Sequence, residues 1–347
     1  MRTVLGSLRA RVRRRSIAAS KSARGEVVVF YGHRLLPSPG DEVEGGMVKF
    51  QRLQTAFPNS QRDFNLLYLG SSSLPSDEQQ VIALARRRGA RVVVNQNGVA
   101  YPGWAGVRTE EHNARLRAVL QAADHVVYQS EFCKLASDRF LGAPPGAWEV
   151  LHNAVDTNVF SPAAEPPAGG PVLLLGGDQT QPYRLGTALR TLALLPGARL
   201  LVTGSVIPGD RALPDELGVS DRVLFTGRYT QREAPDIYRR AHVLLHPKVN
   251  DPCPNVVLEA LACGLPVVHS QSGGTPELIA GAGVGVPSAT SWDRDVPPDP
   301  AGLAEGVRTV LSRLDSFRLE ARARAERFDL APWIERHRQL FAGLVEP

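Results

Sequence analysis

From Glu26 onward, short apolar runs alternate with longer stretches of helical spacing. The runs Val27–Tyr31, Asn65–Gly70, Arg91–Asn95, His125–Gln129 and Trp148–Leu151 have strand length and predict strands. Between them, Asp77–Arg88, Glu110–Ala122 and Glu131–Phe140 predict helices. The first opens after Ser76 and stops at Gly89; the third opens after Ser130 and stops before Gly142. Polar caps before and glycines after are the punctuation of helix ends. Residues Ser161–Gly170 read SPAAEPPAGG, and this crowd of Pro and Gly predicts an interdomain linker. The alternation then restarts. Strands are predicted at Val172–Leu175, Arg199–Thr203, Val223–Thr226, Val243–His246 and Pro266–His269, with helices at Leu185–Leu195, Ala234–Arg240 and Asn255–Cys263. The chain closes on helical patterns at Ala301–Leu314, Phe317–Arg327 and Ala331–Leu344. The last carries Trp333, Ile334, Leu340, Phe341 and Leu344, and periodicity does not say on which domain it packs.

Strands alternating with helices imply an α/β fold of parallel sheets built from right-handed βαβ units. Two such series imply two Rossmann-like domains, one over residues 26–160 and one over 161–330, with 331–347 as a terminal helix. Ligands of such sheets bind at the carboxyl ends of the strands. The expected site is a cleft between two domains that face each other.

The length of 347 residues agrees with two domains. Hydrophobic residues are 43% and charged residues 22%, which excludes a disordered or fibrous chain. No run approaches the roughly 18 apolar residues of a membrane span. Cys133, Cys253 and Cys263 form no C-x-x-C pair, which argues against a disulfide scaffold or cysteine zinc site and for a reducing, cytoplasmic setting.

The net charge of +5 is unevenly placed. Residues 1–25 hold eight Lys and Arg and no acid, so +5 less +8 leaves −3 for the remainder. A slightly acidic body argues against nucleic acid as a partner. The basic segment reads as a poorly ordered tail. Its Val4, Leu5, Leu8 and Val12 also make a weak apolar stripe, suited to peripheral contact with anionic lipid on an inner membrane face. It is not a secretory signal, because no apolar core follows the charges.

The most informative stretch is Leu244–Glu277, LLHPKVNDPCPNVVLEALACGLPVVHSQSGGTPE. A buried strand is expected to end at His246, and a loop then carries Asp251. Asn255 reads as a helix N-cap before Val256 and Val257. The amides at such a helix start bind phosphate, although the dipole alone contributes only about 0.3–1 kcal/mol. Glu259 lies one turn further in, where a carboxylate accepts bonds from sugar or ribose hydroxyls. By itself it would merely complement the helix dipole. Gly273 and Gly274 then form a loop that lets backbone approach a ligand. An acid, a helix start and a second acid, followed by ACGLPVV and GGTPE, exceed what dipole compensation requires.

This segment resembles the donor site of the retaining glycosyltransferases of family 4, also called glycosyl transferases group 1. Their Glu-x7-Glu signature stands here as Asp251 and Glu259, with the spacing kept and the first acid shortened. EALACGLPVV and GGTPEL are similar to the family pattern, as is LGVSDRVLFTGRYTQREAPDIYRRAHVLLHP upstream, with His242 where an Asp is usual. HNAVDTNVFSP (His152–Pro162) resembles the family's crossover between domains, and VEGGMVKFQRL (Val43–Leu53) its N-terminal glycine loop and first helix. The resemblance covers roughly residues 26–345.

The resemblance implies a GT-B fold and transfer of a sugar from a nucleotide-diphosphate donor with retained configuration. Glu259 would hold ribose hydroxyls, Asp251 the donor sugar, and the Val256 and Val257 amides the diphosphate. Gly273, Gly274, Glu277 and Arg228 would complete the donor site. The family's G-R-x4-K-G reads GGDQTQPYRLG here. Asp178 takes the Arg position, and Arg184 is a one-residue-shifted candidate for the Lys, or else a surface Arg at a helix start. In the N-terminal domain Gly45, Gly46, Gln96 and Asn97 would line the cleft. Asn95, Gln96 and Asn97 stand where a His is common; their amides suit a sugar hydroxyl, and Asn97-Gly98 equally reads as a turn.

No cofactor and no metal enter this scheme. Asp293-Arg294-Asp295 is a D-x-D in a proline-rich loop, away from the signature helix. His33, His112 and His125 lack metal spacing. The acceptor is left open among glycan, lipid and small molecule. One rival is a GT-B scaffold that only binds nucleotide sugars or glycans, motivated by Asp178 and Asp251. The other is a Rossmann oxidoreductase or epimerase, weakened because no G-x-G-x-x-G follows either first strand.

Overall fold

The computed structural model describes residues 26–346 apart from 39, 44 and 166. The basic tail lies outside the described residues. The chain forms two compact units. Unit 1 takes the described residues up to Ser38, Val43–His152, and the chain from Ala331 onward. Unit 2 takes Asn153–Leu330 together with residues 40–42.

Unit 1 is a parallel sheet in the order β1-β2-β3-β4-β5. Its strands are β1 (Val29–Phe30), β2 (Leu66–Gly70), β3 (Arg91–Gln96), β4 (His125–Tyr128) and β5 (Ala147–Val150). The connecting helices are α1 (Gly45–Leu53), α2 (Glu78–Arg87), α3 (Thr109–Leu120) and α4 (Glu131–Phe140). Val92, Val93 and Val94 of β3 are all buried, the mark of a strand covered on both faces. Ser130 caps α4 as expected, its hydroxyl accepting from the Cys133 amide at 3.0 Å.

Unit 2 is a six-stranded parallel sheet in the order β11-β10-β9-β6-β7-β8. Its strands are β6 (Val172–Leu175), β7 (Arg199–Thr203), β8 (Val223–Gly227), β9 (Val243–His246), β10 (Val267–Ser270) and β11 (Gly283–Val286). Its helices include α5 (Pro182–Ala193), α6 (Ala234–Tyr238), α7 (Asn255–Ala262), α8 (Thr275–Ile279), α9 (Pro300–Ser312) and α10 (Leu314–Glu326). Alternate strand residues feed two cores. Leu174, Leu201, Leu244 and Val267 pack with α7 and α10, while Leu173, Leu200, Val243 and Val268 pack with α5 and α9. The chain moves outward from β6 to β8, then returns to lay β9 on the other side of β6. The β6/β9 pair is therefore the topological switch point, where open α/β sheets bind ligands.

Two features differ from the sequence expectation, and the structure decides a third that the sequence left open. The passage between units lies at His152/Asn153 rather than at the SPAAEPPAGG run. Asn153–Phe160 is built into unit 2: Asn153 Nδ2 donates to the Cys253 carbonyl at 2.9 Å, Val155 bridges to Asp329, and Phe160 is buried. The proline-glycine run is a loop inside unit 2. Second, β11 was not expected, because its sequence GVGV has two glycines and little strand propensity. Register with β10 supplies what propensity lacks. Third, the terminal helix α11 (Leu330–Val345) belongs from Ala331 to unit 1. There Phe341 meets Phe57 edge-on at 5.0 Å, and His337 shares a 3.1 Å hydrogen bond with the Tyr68 hydroxyl.

Candidate donor-sugar site

Unit 2 gathers the signature residues at the switch point. Val256, the second residue of α7, packs toward the Gly176-Gly177 turn after β6; a Cβ on either glycine would come to 3.5 Å from it. Pro254, in extended conformation, caps α7 and makes no side-chain cap hydrogen bond. Asn255 is therefore the first helical residue and not the N-cap, because the extended ψ of Pro254 puts the turn into helix one residue earlier than the side-chain chemistry suggests. The Val257 amide donates to the Pro254 carbonyl at 3.2 Å.

Asp251 sits in the loop after β9. Lys248 Nζ lies 2.9 Å from its Oδ2, and His246 Nε2 lies 3.7 Å from the same oxygen. Burial opposes ionisation of Asp251, but Lys248 and His246 outweigh it and hold the carboxyl far below the usual carboxylate range. His246 is buried with neither ring nitrogen hydrogen-bonded. Burial lowers its pKa, against the pull of Asp251.

The loop around Asp251 is fixed by the glycine pair. Gly273 has φ +77°, and a Cβ there would lie 2.6 Å from both the amide nitrogen and the carbonyl oxygen of Asp251. The Gly274 amide donates to that carbonyl at 2.8 Å. Asn250, itself at φ +53°, is held by the Ser272 hydroxyl and by the Ser291 carbonyl. The glycines thus shape the backbone under Asp251. Glu277 lies in the first turn of α8, its carbonyl accepting from Arg324 at 2.6 Å.

Glu259 is buried on α7, and its Oε2 accepts a 2.9 Å hydrogen bond from the Tyr238 hydroxyl. Burial raises the Tyr238 pKa, reinforced by Tyr229 and Glu259. The Tyr238 and Tyr229 hydroxyls thus stay protonated beside the carboxylate. Nothing in the sequence spacing links Tyr238 to Glu259; they meet because α6 packs on α7.

Arg184 occupies a different environment from a surface helix start. Its guanidinium is buried and donates to the carbonyls of Gly176 at 2.9 Å and Asp178 at 2.5 Å. It braces the turn after β6. Asp178 accepts from the Ser205 amide at 2.7 Å, which explains an acid where the family has Arg. His242 has a comparable structural use, its Nδ1 accepting from the Val172 amide at 3.1 Å. Arg228, after the edge strand β8, pairs with Glu42 at 3.2 Å. Asp293 is exposed in the loop after β11.

In unit 1, Gly46 is the second residue of α1 and lies against the turn after β2; a Cβ there would lie 2.3 Å from the Ser72 hydroxyl. Gly45 is the residue before it. Gln96 Nε2 donates to the Gly98 carbonyl at 2.6 Å and spans the turn. The Asn97 backbone amide donates to the Ser71 hydroxyl at 2.8 Å, and with its side-chain amide turned to the orientation that satisfies both ends, its oxygen accepts from Lys49 at 2.8 Å and Gln129 at 2.9 Å. Lys49 and Gln129 also both donate to Asn95 Oδ1. Lys49 was not singled out from the sequence. It lies on the helical stripe of α1 that buries Phe50 and Leu53, where a lysine has no pattern to mark it.

Residues 176–313 match the family described as glycosyl transferases group 1. This stretch of unit 2 is similar to the glycosyl transferases group 1 family. The match runs from the Arg184-braced turn through Asp251 and Glu259. D-inositol 3-phosphate glycosyltransferase of Mycolicibacterium smegmatis is 32% identical over 178 residues, 47% of this chain and 41% of that protein. Its Mycobacterium tuberculosis counterpart is 34% identical over 153 residues, 40% of this chain and 32% of that protein. The chain thus spans less than half the length of these relatives. Among solved structures, sucrose-phosphate synthase from Thermosynechococcus elongatus aligns with a TM-score of 0.69 at 20% identity, covering 85% of this chain and 76% of that one. Anabaena HepE, crystallised with UDP and glucose, gives a TM-score of 0.65 at 18% identity over 84% and 80%. WaaG, a glycosyltransferase of lipopolysaccharide biosynthesis, gives 0.66 at 19% over 91% and 100%. The two units therefore have the GT-B fold. Among the described residues, no helix is long and apolar enough to cross a membrane.

Proposed function

We propose that the protein is a retaining glycosyltransferase that uses a nucleotide-diphosphate sugar. The observation that carries this reading is the placement of Asp251 and Glu259, eight residues apart, at the β6/β9 switch point and within the stretch similar to the group 1 family. In this reading Glu259 accepts the ribose hydroxyls, with Tyr238 orienting its carboxylate. Asp251, ionised and partly held by Lys248, accepts a hydroxyl of the donor sugar. The first amides of α7 receive the diphosphate. The Val257 amide is already bonded to Pro254, so the role falls chiefly to Val256.

The transfer balances without an enzymic base. The bond from the sugar C1 to the β-phosphate oxygen breaks, and its electron pair stays on phosphate. The acceptor oxygen bonds to C1 from the same face, and its proton passes to that phosphate oxygen. The protein contributes position and electrostatic stabilisation of the leaving group. The acceptor is a glycan, lipid or small molecule held by unit 1.

UDP and UDP-sugars are the first ligands to test, because HepE was crystallised with UDP. Thermal shift with UDP, ADP and GDP, followed by assay of nucleotide release from the matching sugars, tests the reading. A ligand at 100 times its dissociation constant adds about 2.7 kcal/mol of stability. No shift with any nucleoside diphosphate, and no release from any donor, would overturn it.

A further inference from the structure

The transfer leaves a new charge on the β-phosphate, and the turn after β6 lacks the Arg at which the family meets the diphosphate. Three cations of unit 2 are candidates to replace it. Arg184 is buried and spends two guanidinium nitrogens on the Gly176 and Asp178 carbonyls. Withdrawing it would release the turn that packs on Val256. Arg228 follows β8, the outermost strand, and is paired with Glu42. Lys248 follows β9, at the switch point itself.

We propose that Lys248 is the diphosphate-binding cation of this chain, and that it moves from Asp251 to the phosphate when the donor enters. The proposal rests on the glycosyltransferase reading above and deepens it. The Lys248 side chain is 26% exposed, whereas Asp251 is 11% exposed, so the ammonium sits at the mouth of the pair. A lysine stem is flexible and its three donors rotate freely, which suits a charge that changes partners. The partner it leaves is provided for. His246 is 1% exposed, unbonded at both ring nitrogens, and 3.7 Å from the oxygen that Lys248 holds. A small shift brings its N–H onto Asp251 Oδ2, while a sugar hydroxyl bonds to the carboxylate from the open side. The donor carries hydroxyls and a diphosphate, and the pair offers one acceptor and one cation in matching order.

The test compares Lys248→Met and Lys248→Arg with the wild type by calorimetric titration of whichever of UDP, ADP or GDP the wild type binds best, and of the nucleoside with the same base. Lys248→Met should weaken the nucleoside diphosphate at least tenfold and the nucleoside less than twofold. Lys248→Arg should recover most of the loss. Lys248→Met leaves Asp251 buried without its cation, so Lys248→Met with Asp251→Asn serves as a second variant in which the unpaired charge is removed. It should show the same selective loss of diphosphate binding. Diphosphate affinity equal to wild type in both methionine variants would overturn the proposal. If the wild type itself binds none of the three diphosphates, the glycosyltransferase reading fails before Lys248 is tested.

Discussion

The Tyr238 hydroxyl donates a 2.9 Å hydrogen bond to Oε2 of Glu259, and both side chains are sealed from solvent. A buried carboxylate needs such a partner, because leaving either group unsatisfied costs about 1–3 kcal/mol. The bond also orients the Glu259 carboxylate. Glu259→Ala should therefore lose about 1.5–3 kcal/mol of nucleotide binding, on the order of 10- to 150-fold. It should also lower the melting temperature, since the Tyr238 hydroxyl loses its carboxylate acceptor. Tyr238→Phe should weaken UDP less than Glu259→Ala does. UDP affinity within twofold of wild type in Glu259→Ala would remove Glu259 from the site.

Arg184 is a brace for the Gly176–Asp178 turn, so its removal should act on stability first. Arg184→Ala leaves the Gly176 and Asp178 carbonyls without their donor and should cost roughly 2–4 kcal/mol. Urea denaturation would measure it. Binding of UDP and of uridine should fall together, because the whole turn loosens. A loss confined to UDP, with unchanged urea midpoint, would show that the guanidinium serves phosphate instead.

Much of this architecture is legible in the sequence, and the exceptions have physical causes. The β9–loop–α7 segment is read correctly because its apolar runs are long and its acids lie at fixed spacing. The α7 cap is misplaced by one residue because Asn255 has the better side chain but Pro254 has the extended backbone. The role of Arg184 depends on where a long side chain bends, which spacing along a helix does not encode. Lys248 and His246 both precede Asp251 closely in sequence, yet only the loop geometry fixed by Asn250 and Gly273 turns them onto the same oxygen. Strand β11 is invisible to propensity because its glycines are chosen for closeness: a Cβ on Gly283 would lie 2.1 Å from the Val267 carbonyl.

Gly273 and Gly89 separate two costs of replacing glycine. Both have φ near +78°, at +77° and +78°, but a Cβ on Gly89 meets nothing within 4 Å. Gly89→Ala should lose only the backbone term, about 1 kcal/mol. Gly273→Ala adds a clash with the Asp251 backbone and should lose about 2–4 kcal/mol, with weaker donor binding because Asp251 shifts. Equal urea midpoints for the two variants would show that the Asp251 loop yields easily.

Chelation tests the assignment of the diphosphate to α7 and a cation. A D-x-D site would need a divalent ion bridging its carboxylates to phosphate. Asp293 and Asp295 lie on the loop after β11, and among the described residues no group of three or more His, Cys, Asp or Glu could hold a metal. Turnover should survive EDTA, and the double change Asp293→Ala, Asp295→Ala should cost less than twofold. Loss of turnover on chelation, restored by magnesium or manganese, would refute the scheme.

Acid should destabilise the protein through its buried histidines. Burial lowers the pKa of His242 and His246 in unit 2, and takes His269 to about 4; in unit 1 it takes His337 to about 4. The ordinary value is 6.5, so on acidification the unfolded chain takes up protons that the native state refuses. Their stabilising effect is complete above about pH 6.5 and declines as pH falls toward 4. Each fully shifted histidine contributes a slope of about 1.4 kcal/mol per pH unit. Asp251 acts elsewhere: its lowered pKa matters only below the ordinary carboxylate value of 3.8. The window from pH 6.5 to 4.5 therefore belongs to the histidines. Urea midpoints should fall steadily across it. His337→Gln should flatten the dependence for unit 1, and His269→Gln for unit 2, each observed in that unit's own unfolding transition. Midpoints that stay constant from pH 7.5 to 4.5 would mean that the buried histidines reach water or protons in the native state.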